Sequence, residues 1–225
     1  MPNDQHANLD WRDEVIPVSR QFDDPYFSLD NGLAETRHVF LDGNDLRTRL
    51  QDGFHIAELG FGTGLNMLAT ALLWAEMGAP GTVHFTSFEA FPMQAQEIER
   101  ALRAFPEAQA IATSYLDRWA SGAREFDFAG LHVTVVIGDA RDTLPALNLQ
   151  ADAWFLDGFS PAKNPELWSP ELMTAVGAAT APNGTCATYT AAGHVRRSLN
   201  DAGFEITRIP GFGRKRHMTV GKKPA

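Results

Sequence analysis

From residue 54 onward, short apolar runs alternate with longer stretches rich in Leu, Ala and Met. Phe54-His55-Ile56-Ala57-Glu58-Leu59 ends in Gly60 and predicts a buried strand. Leu65 to Met77 predicts a helix, stopped by Gly78 and Pro80-Gly81. Val83 to Phe88 predicts a second strand, and Pro92 to Phe105 a helix with Pro92 in its first turn. Leu131 to Ile137 and Ala151 to Leu156 predict two more strands, ending at Gly138-Asp139 and Asp157-Gly158. Glu166 to Ala179 predicts a helix, Thr185 to Thr190 a strand, and Val195 to Ala202 a helix closed by Gly203. Phe204 to Ile209 and His217 to Val220 have only Gly211-Phe212-Gly213 at the turn between them, so they predict an antiparallel edge hairpin. Alternation of this kind predicts an α/β fold, a mostly parallel sheet with helices on both faces.

Upstream the pattern changes. Residues 22–44 are turn-rich, with Asp23-Asp24-Pro25, Asp30-Asn31-Gly32 and Asp42-Gly43-Asn44. Between those turns Arg37-His38-Val39-Phe40-Leu41 predicts a short strand. Residues 1–21 read as a loosely ordered lead-in, and 22–225 as a single domain in which 22–53 form an extension on the substrate side. There is no internal repeat.

At 225 residues and 44% hydrophobic, the chain suits one α/β domain. A single cysteine, Cys186, excludes an internal disulfide and a multi-cysteine metal site. No apolar run is long enough to span a membrane, and the first twenty residues lack a signal-peptide core. The expectation is a reducing, cytoplasmic setting. The net charge of −9 argues against a nucleic-acid partner, but its distribution does not. From His194 onward there are eight basic and two acidic residues, or +6 against −15 for the remainder. Such asymmetry produces a basic face on an acidic protein or simply a solvated surface.

The strongest local signal is Glu58-Leu59-Gly60-Phe61-Gly62-Thr63-Gly64, which follows a strand and opens a helix. Glycines let backbone approach a ligand closely, and the helix start offers free amides. The spacing GxGxG is not the dinucleotide fingerprint GxGxxG, and no GK[ST] follows. It matches the first motif of methyltransferases, which cradles the methionine part of S-adenosyl-L-methionine. Three acids then fall at the C-terminal ends of successive strands, where open α/β sheets bind ligands. Glu89 is placed for ribose hydroxyls, Asp139 (followed by Ala140) for the adenine amino group, and Asp157 for the region of the transferable methyl. The seven histidines show no ligand spacing, so no metal is expected. No nucleophile elbow is present.

Asp24-Pro25-Tyr26-Phe27-Ser28, Asp30-Asn31-Gly32-Leu33, Gly60-Phe61-Gly62-Thr63-Gly64-Leu65-Asn66, Ser87-Phe88-Glu89, Asp152 to Phe159 and Gly211-Phe212-Gly213-Arg214-Lys215-Arg216 resemble the methyltransferase domain of the MnmC/MnmD family. The resemblance runs from about Asp23 to His217, and Asp157 to Trp168 (DGFxPAKNPxxW) is its most specific stretch. It implies a Rossmann-like, seven-stranded S-adenosylmethionine-dependent fold. The implied activity is N-methylation of the 5-aminomethyl group of (2-thio)uridine at the tRNA wobble position, with the anticodon stem-loop as partner. Cofactor contacts are then expected from Glu58, Gly60, Phe61, Gly62, Thr63, Gly64, Asn66, Glu89, Asp139, Ala140 and Asp157. Asp157 is also the expected catalytic residue, a carboxylate that accepts the amine's proton. Asn31, Phe159 and Lys163 are expected near the substrate, and Arg196, Arg197, Arg214, Lys215 and Arg216 on the tRNA surface.

The resemblance also implies that many relatives carry a fused C-terminal FAD-dependent oxidase. No such module precedes Ala225, so the expectation is a stand-alone or truncated methyltransferase. Two other readings stay open: a polyamine-type aminopropyltransferase and a catalytically silent RNA-binding subunit.

Overall fold

The computed structural model describes residues 6–28 and 31–225. The first elements overturn the loose lead-in as far as residues 6–21 are concerned. β1 (Leu9–Arg12) and β2 (Ile16–Ser19) form an antiparallel hairpin, and β2 pairs in turn with the two-residue β3 (Asp24–Pro25). The hairpin turns through Asp13 and Glu14, both at positive φ, a geometry sequence disfavours for residues other than glycine. It docks through side chains instead of a long apolar run: the Arg100 guanidinium lies 4.0 Å over the Trp11 ring, and Ile16 is buried.

α1 (Gly32–Thr36) is capped by Asn31, whose side chain accepts from Ala34 N. The predicted strand at 37–41 is not one. Arg37–Asp42 forms a π-helical turn continuing α1, burying Val39, Phe40 and Leu41. A run of three apolar residues fits a buried helical turn as well as a strand, so the pattern alone could not decide. Leu29 and Asp30 lie outside the described residues, as do residues 1–5 of the lead-in.

After α2 (Leu46–Arg49) the predicted rhythm holds: β4 (His55–Leu59), α3 (Leu65–Met77), β5 (Val83–Glu89), α4 (Ala95–Leu102). Pro92 lies ahead of α4 rather than in its first turn. The stretch that follows holds α5 (Pro106–Ile111), α6 (Thr113–Ala120) and β6 (Glu125–Phe128). Then come β7 (Leu131–Ile137), α7 (Ala140–Thr143) and β8 (Ala151–Leu156). The helix expected from Glu166 is split. Pro165–Trp168 is a short 3₁₀ turn, and α8 (Pro170–Ala178) starts afresh with Ser169 as N-cap and Pro170 in its first turn. β9 (Thr180–Thr188), α9 (Gly193–Asp201), β10 (Glu205–Pro210) and β11 (His217–Lys222) complete the chain.

The sheet runs β10-β11-β9-β8-β4-β5-β7-β6. Among the described residues it has eight strands where seven were expected. The addition is β6, hairpinned antiparallel to β7 at the edge opposite the β10–β11 hairpin. The five consecutive strands β9, β8, β4, β5 and β7 are parallel. The chain winds outward from β4 through β5 to β7, then returns to the other side of β4 with β8. That reversal opens a crevice at the C-terminal ends of β4 and β8. One apolar cluster, built around α3 and Phe85, covers one face of the sheet, and a second, around Trp154 and Trp168, covers the other.

Candidate functional site

A cavity of about 1190 Å³ opens over the reversal between β4 and β8. Sites for drug-sized ligands span roughly 300–1,000 Å³, so this one has room for more than one such molecule.

Its floor is the loop after β4. Gly60, Gly62 and Gly64 all have positive φ, at 87°, 53° and 73°. A Cβ at Gly60 would stand 3.3 Å from the Asp157 carbonyl, and one at Gly62 3.2 Å from the Tyr26 ring. Gly60, Phe61, Gly62, Thr63 and Asn66 line the cavity. Gly64 does not, and its role is structural: it turns the chain into α3, where a Cβ would press on Phe61 and Tyr115.

Glu89 ends β5 and faces this loop. Its carboxylate accepts from Gly62 N and Phe91 N, each at 2.8 Å. Burial pushes its pKa up, and backbone donors around it pull the other way. Each oxygen retains a lone pair for a ligand hydroxyl. Asp139 caps α7, while Arg141 grips both of its oxygens, with a closest contact of 2.6 Å. That pairing, together with the amide of Arg141, holds Asp139 below the usual carboxylate range. Asp139 and Ala140 both line the cavity.

Glu58 departs from expectation. It is fully buried, absent from the cavity wall, and accepts from Ser87 Oγ at 2.6 Å and Asn66 Nδ2 at 2.7 Å. Burial pushes its pKa well up. Lying within β4, it ties Asn66, at the start of α3, to Ser87 on the neighbouring strand β5 and so braces the loop. Its partner Asn66 is the hinge of the site. Nδ2 also donates to Asp157 Oδ2 at 2.9 Å, and Oδ1 accepts from Thr36 Oγ1 at 3.0 Å.

Asp157 follows β8. Gly158 N donates to its other oxygen at 2.8 Å. Burial raises its pKa to about 6, opposed by the Asn66 and Gly158 hydrogen bonds; Glu35 raises it further and Lys215 lowers it. A carboxylate poised near 6 takes up and releases a proton close to neutral pH.

Over Asp157 lies a roof that sequence reasoning largely missed. Phe159 stacks on Phe22 with centroids 4.8 Å apart and meets Tyr26 edge-on at 4.9 Å. Ser160 N donates to Asp24 at 2.8 Å, and Lys163 donates to the Asp23 carbonyl and carboxylate. The segment from Gln21 to Ser28 is thus strapped to the Asp157–Pro165 loop. Glu35, Tyr189 and Lys215 close the far side. Only the family resemblance pointed to Asp24-Pro25-Tyr26; nothing in the sequence singled out Glu35 or Tyr189.

The other expected substrate residues do not line the cavity. Asn31 caps α1 and is not among the residues that line it. Arg197, Arg214 and Arg216 are exposed on α9 and the β10–β11 loop, and Arg196 is half-buried with Nε 3.3 Å from the Ala191 carbonyl. His217 is held below its usual pKa by desolvation and by the nearby charges of Arg208, Arg216 and Arg196. Among the described residues no group of three or more His, Cys, Asp or Glu could hold a metal, and no helix is long and apolar enough to cross a membrane.

S-adenosyl-L-methionine fits the cofactor half on these grounds. The glycine floor is a cradle that side chains would fill, Glu89 offers acceptors for hydroxyls beside it, and Asp157 lies across it. Residues 103–224 match the family described as S-adenosyl-L-methionine-dependent methyltransferase. The chain is 46% identical, over 96% of its length, to the tRNA 5-methylaminomethyl-2-thiouridine biosynthesis bifunctional protein MnmC of Pseudomonas savastanoi. It is likewise 46% identical over 98% of its length to the protein of that name from Pseudomonas paraeruginosa. It covers 34% and 36% of those two proteins, and so spans about a third of the length of the curated relatives it matches. The crystal structure of MNMC2 from Aquifex aeolicus superposes with a TM-score of 0.78 at 26% identity, covering all of this chain and 74% of that one. Precorrin-6y C5,15-methyltransferase from Geobacter metallireducens shares the fold, with a TM-score of 0.54 at 14% identity.

Proposed function

The chain belongs to the family of S-adenosyl-L-methionine-dependent methyltransferases, and from that premise we propose that it methylates the primary amine of 5-aminomethyl-(2-thio)uridine at the wobble position of tRNA. The names of its relatives give 5-methylaminomethyl-2-thiouridine in tRNA as what they make, and the same nucleoside without its N-methyl group is this amine. The observation that carries the reading is a cavity in which a glycine cradle with Glu89 faces Asp157, a carboxylate poised near pH 6.

Bound S-adenosyl-L-methionine would supply an electrophilic methyl group. Gly60, Gly62 and Thr63 would hold its amino-acid end, Glu89 its ribose hydroxyls, and Asp139 with Ala140 its base. A primary alkylamine is protonated at neutral pH and has no lone pair to offer until the proton leaves. Asp157 accepts that proton and orients the nitrogen. Asn66 is a positioning residue, fixing the Asp157 carboxylate through one N–H while the other is anchored on buried Glu58. The Phe22–Phe159–Tyr26 roof offers apolar rings to an extruded base and keeps water from the reacting atoms. Arg196, Arg197, Arg214 and Arg216 form the surface that takes the phosphates of the anticodon stem-loop.

The test is transfer of labelled methyl from S-adenosylmethionine to tRNA from a strain lacking this step, with a polyamine as the alternative acceptor. Label in tRNA alone supports the proposal. Label in the polyamine, or in neither, defeats it.

A further inference from the structure

At the acceptor end of the cavity an ammonium group already sits where a carboxylate and an aromatic face converge. Lys215 Nζ is 2.6 Å from Glu35 Oε1 and 4.4 Å from the centre of the Tyr189 ring. The three residues come from α1, the end of β9 and the β10–β11 loop, so the cluster exists only in the folded chain. Tyr189 is tied to the reacting end: its hydroxyl donates to the Gly158 carbonyl at 2.8 Å, one residue from Asp157. Glu35 and Lys215 both act on the Asp157 carboxylate, Glu35 the more strongly.

The two members of the pair differ in freedom. The Glu35 side chain is 11% exposed and held on a helix, whereas that of Lys215 is 46% exposed on a loop that also contains Gly211 and Gly213. A carboxylate with little access to water is stabilised by a cation or by hydrogen-bond donors against it, and at Glu35 the cation is Lys215. A lysine on a flexible stem can leave as soon as another cation takes over. The groups facing this point are Glu35 from α1, Asp157 after β8, Asp24 from the strap, Tyr189 and Lys215 itself. Lys163 is committed to Asp23 and lies within 3.8 Å of Asp24. A cation arriving here therefore meets carboxylates on several sides and one movable competitor.

We infer that Glu35 and the face of Tyr189 form the receiving site for the substrate's ammonium group, and that Lys215 holds this place until the substrate arrives. The inference rests on the reading that the acceptor is a primary amine. Capture and deprotonation are then divided. Glu35 takes the amine as a cation, Asp157 takes the proton, and the released Lys215 joins the basic surface that carries Arg214 and Arg216.

The experiment compares the parent, Lys215→Met and the neutral double variant Glu35→Gln/Lys215→Met in NMR titrations read on the Tyr189 ring. The probes are methylammonium chloride and the nucleoside 5-aminomethyluridine, each with saturating S-adenosylhomocysteine. Lys215→Met is expected to bind methylammonium at least fivefold tighter than the parent, and the double variant to lose that gain. Equal affinity in parent and Lys215→Met, or equal affinity in Lys215→Met and the double variant, overturns the inference. If methylammonium follows the expected order while 5-aminomethyluridine binds none of the proteins, the cation site stands and the proposed substrate falls. Should Lys215→Met fail to fold, Glu35→Gln decides the same question. The expected result is a tenfold or greater loss of 5-aminomethyluridine affinity with native circular dichroism, and unchanged affinity overturns the inference.

Discussion

The two halves of the cavity are built differently. The cofactor half is made of backbone: three glycines in one loop, the ends of adjacent parallel strands, and acids fixed by main-chain amides. Its parts lie in registered strands β4, β5 and β7, so little can move. The acceptor half is made of side chains from remote segments, namely the strap at Gln21–Ser28, α1, the Asp157 loop and the β10–β11 loop. Ion pairs and ring contacts hold it together. A contiguous backbone site suits an invariant ligand, whereas a site assembled from loops can open for a bulky polymer. Substitutions in the first half should therefore change cofactor affinity, and those in the second should change turnover or substrate affinity.

The largest expected effect lies at the seam. Gly62→Val places a branched side chain at φ 53°, with its Cβ against the Tyr26 ring. Calorimetry should find no measurable S-adenosylmethionine binding in a folded variant, and unchanged affinity would remove this loop from the cofactor site. Next is Glu89→Ala, expected to weaken the cofactor by about 1.5–3 kcal/mol, the range for hydrogen bonds to a charged group. Part of that loss comes from the amides of Gly62 and Phe91, so an analogue lacking ribose hydroxyls should lose less than the full effect. An equal loss for both ligands would confine Glu89 to holding the loop.

A smaller effect concerns stability. The Asp157 pKa of about 6 lies above the unfolded carboxylate value, so the native state binds the extra proton. Its contribution is present below about pH 4 and is lost as pH rises through 6. Asp157→Asn should therefore stabilise the protein at pH 8 by about 1–2 kcal/mol, less than the full shift because Asn forfeits an acceptor of the Asn66 and Gly158 bonds. Thermal melts at pH 4 and pH 8 check this; a variant destabilised at pH 8 would mean that the hydrogen bonds outweigh the buried charge. The smallest effect is on the outer surface. Replacing Arg214 and Arg216 by alanine should flatten the slope of log tRNA affinity against log salt by nearly two units if both meet phosphate. An unmoved slope would leave them a solvated face.

Legibility in the sequence follows the same division. The strand–GxGxG–helix unit and the acids Glu89, Asp139 and Asp157 were readable because periodicity places them at strand ends, where this topology puts ligands. Glu58 lies buried within β4 and off the cavity wall, because adjacency to the glycines does not say which face of β4 a side chain takes. Asn31 caps α1, a role its sequence context does not separate from a ligand contact, since both favour the same residue. The β1–β2 hairpin escaped because a cation–aromatic stack holds it and residues with positive φ turn it. Glu35 and Tyr189 gave no signal, since their pairing with Lys215 exists only once remote segments meet.

On the proposed reading the two halves meet at Asp157, where the acceptor amine gives up its proton. A pH–rate profile of Asp157→Asn at saturating S-adenosylmethionine tests it most directly. The predicted result is near-native cofactor affinity and turnover reduced by roughly 10²–10⁴, the range for a positioned acid–base group. The parent's fall in rate below about pH 6 should disappear from the variant, whose deficit should shrink as pH rises and solvent supplies more neutral amine. A folded variant that binds cofactor and turns over with the parent's rate and pH profile would contradict the claim.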